Sequence, residues 1–324
     1  MLDEDKLKMI KDAIDIQYVD AEKVNVEEYG VITGTIYGSR RKDFVRIKSD
    51  VFQSLFKELK DNKNCSYITY ANSVIREGFI PQRLSVLIKY LDNTRLCNTD
   101  SNEYISQEVL AAQLLNYYGI NTCHNIVAHD KISDKYNLLS VDFVEPDTEF
   151  YTFDEMNYIL GFNIDRDILY QLPALYHADE IKEVGKDQID KICSQYVYSF
   201  LIRKLIFKDN DFSHTNCGIL KHKDGTLDFI NFDYEFCFDI IDFEDFGTFS
   251  DSKIEHILKT ISKQYPDVLK EFIEKSKILL AGLNELRGKI SCQLKEHAIC
   301  LDNLTKNLQQ VLNVVKIMED KNLM

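Results

Sequence analysis

Between Phe207 and Tyr234 the chain reads F-K-D-N-D-F-S-H-T-N-C-G-I-L-K-H-K-D-G-T-L-D-F-I-N-F-D-Y. Asp211 is followed five residues later by Asn216, and Asp233 comes after a short apolar stretch. Two carboxylates and an amide in this order can serve phosphoryl transfer from ATP. That reaction needs little covalent help. It needs a carboxylate to orient or deprotonate the attacking hydroxyl, and hard oxygen ligands for Mg²⁺. The plain reading is turn formation, because Asp and Asn favour turns on propensity alone. Asp209 is a second candidate for the base, and His214 reads as a loop histidine bonded to backbone carbonyls.

These residues must be held by regular elements. Residues 187–208 space Ile192, Tyr196, Phe200 and Leu201 as an amphipathic helix leading into the polar loop. Residues 217–221 and 227–232 read as a hairpin turned by Asp224-Gly225. Upstream, residues 29–48 alternate around Gly30, Gly34 and Gly38 like strands. Residues 51–60 have helical spacing, and 65–77 and 83–91 read as strands; the second of these carries one lysine, Lys89, in an apolar run. A helix over 104–118 stops at Gly119, the left-handed position just past a helix end. Strands follow at 124–129 and 136–144, and Pro146 marks a break. Beyond it the pattern is mainly helical. Residues 251–262 show one apolar face, and Leu294, Leu301, Leu304, Leu308, Val311, Val315 and Met318 form another stripe. The fold class is therefore α+β in two lobes, a strand-rich part over 1–146 and a helical part over 147–324, with a site expected in the cleft between them.

Composition narrows the partners. The chain has 324 residues, with 53 Asp+Glu against 39 Lys+Arg and a formal net charge of −14. Such a surface disfavours nucleic acid as the main partner. No run approaches the roughly 18 apolar residues of a spanning helix, so membrane insertion is not expected. The start lacks a basic, then apolar, leader pattern, which implies cytoplasmic synthesis and leaves export to a route without a signal peptide. Eight scattered cysteines without a C-x-x-C pair read as reduced thiols. Cys123, His124 and His129 fit no common zinc spacing. The acidic run 233–245 and the basic Ser39-Arg40-Arg41-Lys42 both read first as solvated segments.

Taken in order, the motifs resemble the HipA-like serine/threonine kinases over roughly residues 65–240. Asp211-Phe212-Ser213-His214-Thr215-Asn216 looks like that family's D-R-H-x-x-N catalytic loop, and Phe232-Asp233-Tyr234 like its metal-binding segment. Val86-Leu87-Ile88-Lys89 is similar to the strand bearing the ATP-phosphate lysine. Gln107-Glu108-Val109-Leu110 is similar to the N-E-x-x helix, and Leu139-Ser140-Val141-Asp142-Phe143 to the strand entering the hinge. The resemblance implies a two-lobed protein-kinase-like fold using ATP and Mg²⁺. It implies that Lys89 contacts ATP phosphates, held by Glu108. The main chain at Asp142, Phe143, Val144 and Glu145 would bind adenine. Asp211 would orient the acceptor hydroxyl, and Asn216 and Asp233 would hold Mg²⁺.

The departures are specific. Phe212 and Ser213 replace the family's Arg-His, and His214 is displaced by one. The phosphate loop is not evident: Tyr70–Arg76, containing Ser73, is preferred to the glycine-richer Gly34–Arg40. A loop without glycine offers fewer open backbone N–H groups to phosphate. No helix-turn-helix or basic arm accompanies the motifs. The resemblance further implies protein Ser/Thr substrates and autophosphorylation of a loop serine, for which Ser73 is a candidate, together with a link to virulence. A small-molecule or lipid kinase, and a nucleotide-binding pseudokinase or toxin-type partner, stay open as alternatives, since related lobes serve several chemistries.

Overall fold

The computed structural model describes residues 2–16, 18–21, 30–37, 41–48, 83–89, 101–130, 135–141, 148–152, 186–209, 211–212, 216–234, 236–238, 250–290 and 294–323. Candidate residues Ser73, Asp142, Phe143, Val144, Glu145 and His214, the helix expected at 51–60, the strand expected at 65–77 and most of the acidic run lie outside them.

The mixed α+β class is as the periodicity implies. Strands β1 (Tyr18–Ala21), β2 (Gly30–Tyr37), β3 (Arg41–Lys48), β4 (Arg83–Lys89), β5 (His124–Asp130) and β6 (Lys135–Val141) form a six-stranded sheet in the order β1-β5-β6-β4-β3-β2. The β1–β5 pair is parallel and the rest are antiparallel. Lys89 closes β4, paired with Lys42 of β3 and Leu138 of β6. A second sheet joins β7 (Glu149–Thr152), β8 (Cys217–Lys221) and β9 (Leu227–Asn231), all antiparallel. The β8–β9 turn uses Gly225 at φ +83°, with Asp224 accepting from the Thr226 N–H at 2.9 Å. That is the Asp-Gly turn expected from sequence.

Helix α1 spans Glu4–Ile14 and α2 spans Ser101–Tyr118. The carboxylate of Asp3 caps α1 by accepting from the Lys6 N–H at 2.8 Å. Gly119, at φ +85°, ends α2 in a paired cap: its N–H reaches the Asn116 carbonyl and the Ile120 N–H reaches Leu115, each at 2.9 Å. Lys275 Nζ adds a bond to the Tyr118 carbonyl at 2.7 Å. From Tyr104 onward the helix is buried nearly all round, its polar Ser106, Gln107 and Glu108 included, because it is packed on more than one side. Ile105 and Val109 cluster with Val127 and Leu138 of the large sheet. Leu110, Leu114, Leu115 and Tyr118 belong instead to the main core.

The main core is completed by α3 (Lys186–Phe200), α4 (Asp251–Gln264), α5 (Pro266–Leu286) and α6 (Lys295–Asp320). The sequence reading placed neither β1, β7 nor α5, and two further elements differ from it. The first 50 residues look mixed, yet they begin with α1, whose Ile10 and Ile14 are fully buried in that core. The single helix expected over 187–208 is α-helical only to Phe200 and continues as a π-helical segment, Leu201–Ile206. Its wider turn is shown by the Phe207 N–H bonding Ile202, five residues back, at 2.9 Å. Among the described residues, no helix is long and apolar enough to cross a membrane.

Candidate phosphoryl-transfer site

The polar loop leaves the π-helical segment and returns through Asn216 into β8. Asn216 is buried, and its Nδ2 donates to the Asp211 carbonyl at 2.8 Å and to Asp211 Oδ2 at 2.9 Å. The Asp-x4-Asn spacing thus brings its two end residues into direct contact. The remaining side-chain heteroatom of Asn216 is its carbonyl oxygen, the atom a hard cation takes. Asp211 keeps solvent access. Partial burial nonetheless lifts its carboxyl above the ordinary aspartate range; the bond from Asn216 opposes this, and the charges of Asp209 and Asp233 reinforce it.

The hairpin carries Asp233 back to this loop. The Phe232 N–H bonds the Asn216 carbonyl at 3.2 Å. Asp233 then takes φ 61°, in the left-handed region that costs most side chains about 1 kcal/mol or more. Asp is among the residues that tolerate it best. All the oxygen donors gathered here are hard, which suits Mg²⁺ rather than a thiophilic metal. Among the described residues, no group of three or more His, Cys, Asp and Glu side chains clusters as a metal site by itself.

Glu108 is buried on α2, and Asn125 Nδ2 donates to its main-chain carbonyl at 3.1 Å. Its charge reaches the segment just after Asp233. The Tyr234 hydroxyl is pushed far up by burial first and by the charge of Cys123 next, with Glu108 adding to the lift. The buried Cys237 thiol is likewise raised, by burial, then Asp209, with a smaller push from Glu108. The α2–β5 connection is also tied to β9. Cys123 N–H bonds the Asn231 carbonyl at 3.1 Å, Asn231 N–H bonds Asn121 at 3.0 Å, and Thr122 Oγ1 bonds the Tyr234 hydroxyl. The structure therefore brings Asp211, Asn216 and the Asp233 segment together, and for Glu108 it gives a buried position on α2. For Lys89 it gives the strand position alone.

Sequence reasoning missed Arg203, which looks like an ordinary helix cation beside Lys204. It is fully buried. Nε donates to Asp209 Oδ2 at 2.6 Å, and Nη2 lies 2.5 Å from the same oxygen. Nη1 donates to the Asn216 and Phe232 carbonyls at 3.1 and 3.2 Å and to Asn231 Oδ1 at 3.4 Å, while Nη2 reaches the Asp233 carbonyl at 2.7 Å. Burial is the largest influence and opposes the guanidinium charge, but Asp209, Cys237 and Tyr234 together outweigh it and the net shift is upward. Asp209 is thus engaged from below, and its Oδ1 accepts from the Asp211 N–H at 3.0 Å. Of the two carboxylates weighed as base, Asp211 alone keeps solvent access. Lys204 Nζ donates to the Asp209 carbonyl at 2.8 Å, and burial lowers its pKa. The signal for Arg203 would have been a cation on the apolar face of its helix.

No family model matches the chain, and no curated protein does. Among solved structures it is similar to the proinflammatory kinase CtkA of Helicobacter pylori, with a TM-score of 0.48 and 12% identity over 74% of this chain and 92% of that one. It is also similar to the aerobactin synthetase IucC from a hypervirulent pathotype of Klebsiella pneumoniae, with a TM-score of 0.28 and 9% identity over 74% of this chain and 52% of that one.

Proposed function

We propose that the chain is an ATP-dependent, Mg²⁺-requiring serine/threonine protein kinase of HipA-like, two-lobed fold, with residues 1–146 as the nucleotide lobe and 147–324 as the catalytic lobe. The observation that carries this reading is the closed Asp211–Asn216 loop bonded to the segment bearing the left-handed Asp233. In the proposed reaction the acceptor hydroxyl oxygen bonds to the γ-phosphorus, the bond from that phosphorus to the β–γ bridging oxygen breaks, and ADP leaves. Asp211 orients the hydroxyl and takes its proton. Asn216 and Asp233 would hold Mg²⁺, which when bound offsets charge on the phosphates. Lys89 would meet the phosphates and Glu108 would steady Lys89. The main chain of 142–145 would hold adenine.

The test is transfer of labelled γ-phosphate from ATP to protein substrates, run beside a panel of small molecules and lipid head groups. Transfer to Ser/Thr that needs Mg²⁺ and is lost in Asp211→Ala supports the reading. Unchanged transfer in Asp211→Ala overturns the base assignment, and transfer to small molecules alone overturns the substrate class. Intact-mass measurement after adding ATP tests autophosphorylation; no added phosphate overturns that part, including Ser73 as acceptor.

A further inference from the structure

We propose that Arg203 and Asp209 form the positioning device of the site, a buried clamp that sets the base loop and the metal-binding segment in register before any ligand arrives. This rests on the kinase reading above.

The clamp touches the backbone of each residue to which that reading gives a role in the C-terminal half. Arg203 bonds the carbonyls of Asn216 and Asp233 directly, at 3.1 and 2.7 Å. It holds Asp211 through Asp209, which receives the guanidinium on Oδ2 and the Asp211 N–H on Oδ1. A guanidinium has five N–H donors in a rigid plane, and here they meet two side chains and three carbonyls. The plane itself is fixed. Its central carbon sits 4.5 Å from the Phe212 ring and 4.7 Å from the Tyr234 ring. Those aromatics immediately follow Asp211 and Asp233 in the chain. The π-helical segment containing Arg203 lies next to the loop it organises. A buried ion pair is weak evidence for stability, because desolvation offsets most of the attraction. Its role is better explained by geometry: one planar fork holds two separate backbone segments and the Asp209 carboxylate at once.

Arg203 acts through other residues, so its loss should move kcat and the Mg²⁺ requirement rather than the affinity for protein substrate. Arg203→Lys keeps the charge and loses the fork. We expect it to fold, to lower kcat about 100-fold and to raise the Mg²⁺ needed for half-maximal transfer about tenfold, with KM for protein substrate unchanged. Amide hydrogen exchange should accelerate at Asp211 and Phe232 and not across the helical core. Phe212→Leu, which removes one aromatic face but stays apolar, should lower kcat severalfold in the same pattern, and it provides the test if Arg203→Lys does not fold. Wild-type kcat and Mg²⁺ dependence in a folded variant would overturn the clamp. If the wild-type protein itself transfers no phosphate, the kinase reading fails. The exchange data then decide the clamp alone: selective loss of protection at Asp211 and Phe232 supports it, and unchanged or uniform exchange overturns it.

Discussion

Asp211 and Asn216 show how a short polar pair ties a loop together. The amide spends both contacts of its nitrogen on Asp211, one to the carbonyl and one to the carboxylate. Asp211→Asn changes the charge but hardly the shape, so the loop should survive. We expect transfer to fall about 10²–10⁴-fold, the usual contribution of a positioned acid or base, with an unchanged circular dichroism spectrum. Asp233→Asn keeps a residue that tolerates the left-handed backbone and removes the carboxylate that the kinase proposal assigns to Mg²⁺. It should raise the Mg²⁺ concentration for half-maximal transfer about tenfold, measured by titrating Mg²⁺ at saturating ATP. Both residues and their spacing are legible in the sequence, because loop closure by Asp and Asn follows local rules. Arg203 was not legible. A buried cation and an exposed one are the same letter, and the difference lies in Asp209, Phe212, Asn231 and Tyr234 arriving around it.

Among the elements, the second sheet and the α1–α6 contact carry the sharpest consequences. At Gly218 on β8 an added Cβ would lie 2.4 Å from the Tyr151 carbonyl oxygen and 2.5 Å from the Phe150 ring. Backbone cannot swing aside as a side-chain end can. Gly218→Ala should therefore cost about 1–3 kcal/mol in urea unfolding and loosen β7 from β8. At Gly225 the same change meets nothing within 4 Å, and its cost should be the left-handed strain alone, about 1 kcal/mol. His297, buried near the start of α6, donates from Nε2 to the Ile14 carbonyl at the end of α1 at 2.7 Å. Its Nδ1 is buried without a hydrogen-bond partner among the described residues. Burial depresses its pKa from 6.5 to about 4, against smaller upward pulls from the Ile14 bond and Asp15. Between those values the unfolded chain binds the proton and the folded one does not. The stability is full above pH 6.5 and is lost as the pH falls toward 4, by about 3 kcal/mol. Denaturant midpoints across that range should show the slope, and His297→Gln, uncharged throughout, should flatten it. The hairpin and the end of α2 were readable because Asp-Gly and Gly119 act locally. The π-helical segment was not, since apolar spacing at helical period does not separate an α turn from a π turn.

For the whole molecule, the decisive fact is where α1 sits. It packs on α2 and α5, with the Leu2 N–H bonding Glu285 at 2.9 Å and Ile10 against Gly282. The helix bearing Glu108 is thereby pinned between the large sheet and the helical core. Ile10→Ala should destabilise the protein by about 2–5 kcal/mol in chemical denaturation, although it lies some two hundred residues before Asp211 in sequence. Sequence alone determined the α+β class, most element positions and the ordered set of candidate residues, because periodicity, turn chemistry and motif spacing are properties of neighbours along the chain. Tertiary structure decided that α1 joins the core, that Asp209 anchors the loop from beneath, and that Arg203 links the loop to the Asp233 segment. Each of those depends on burying a helix face or a charge against residues distant in sequence, and burial energy is set by what is nearby in space.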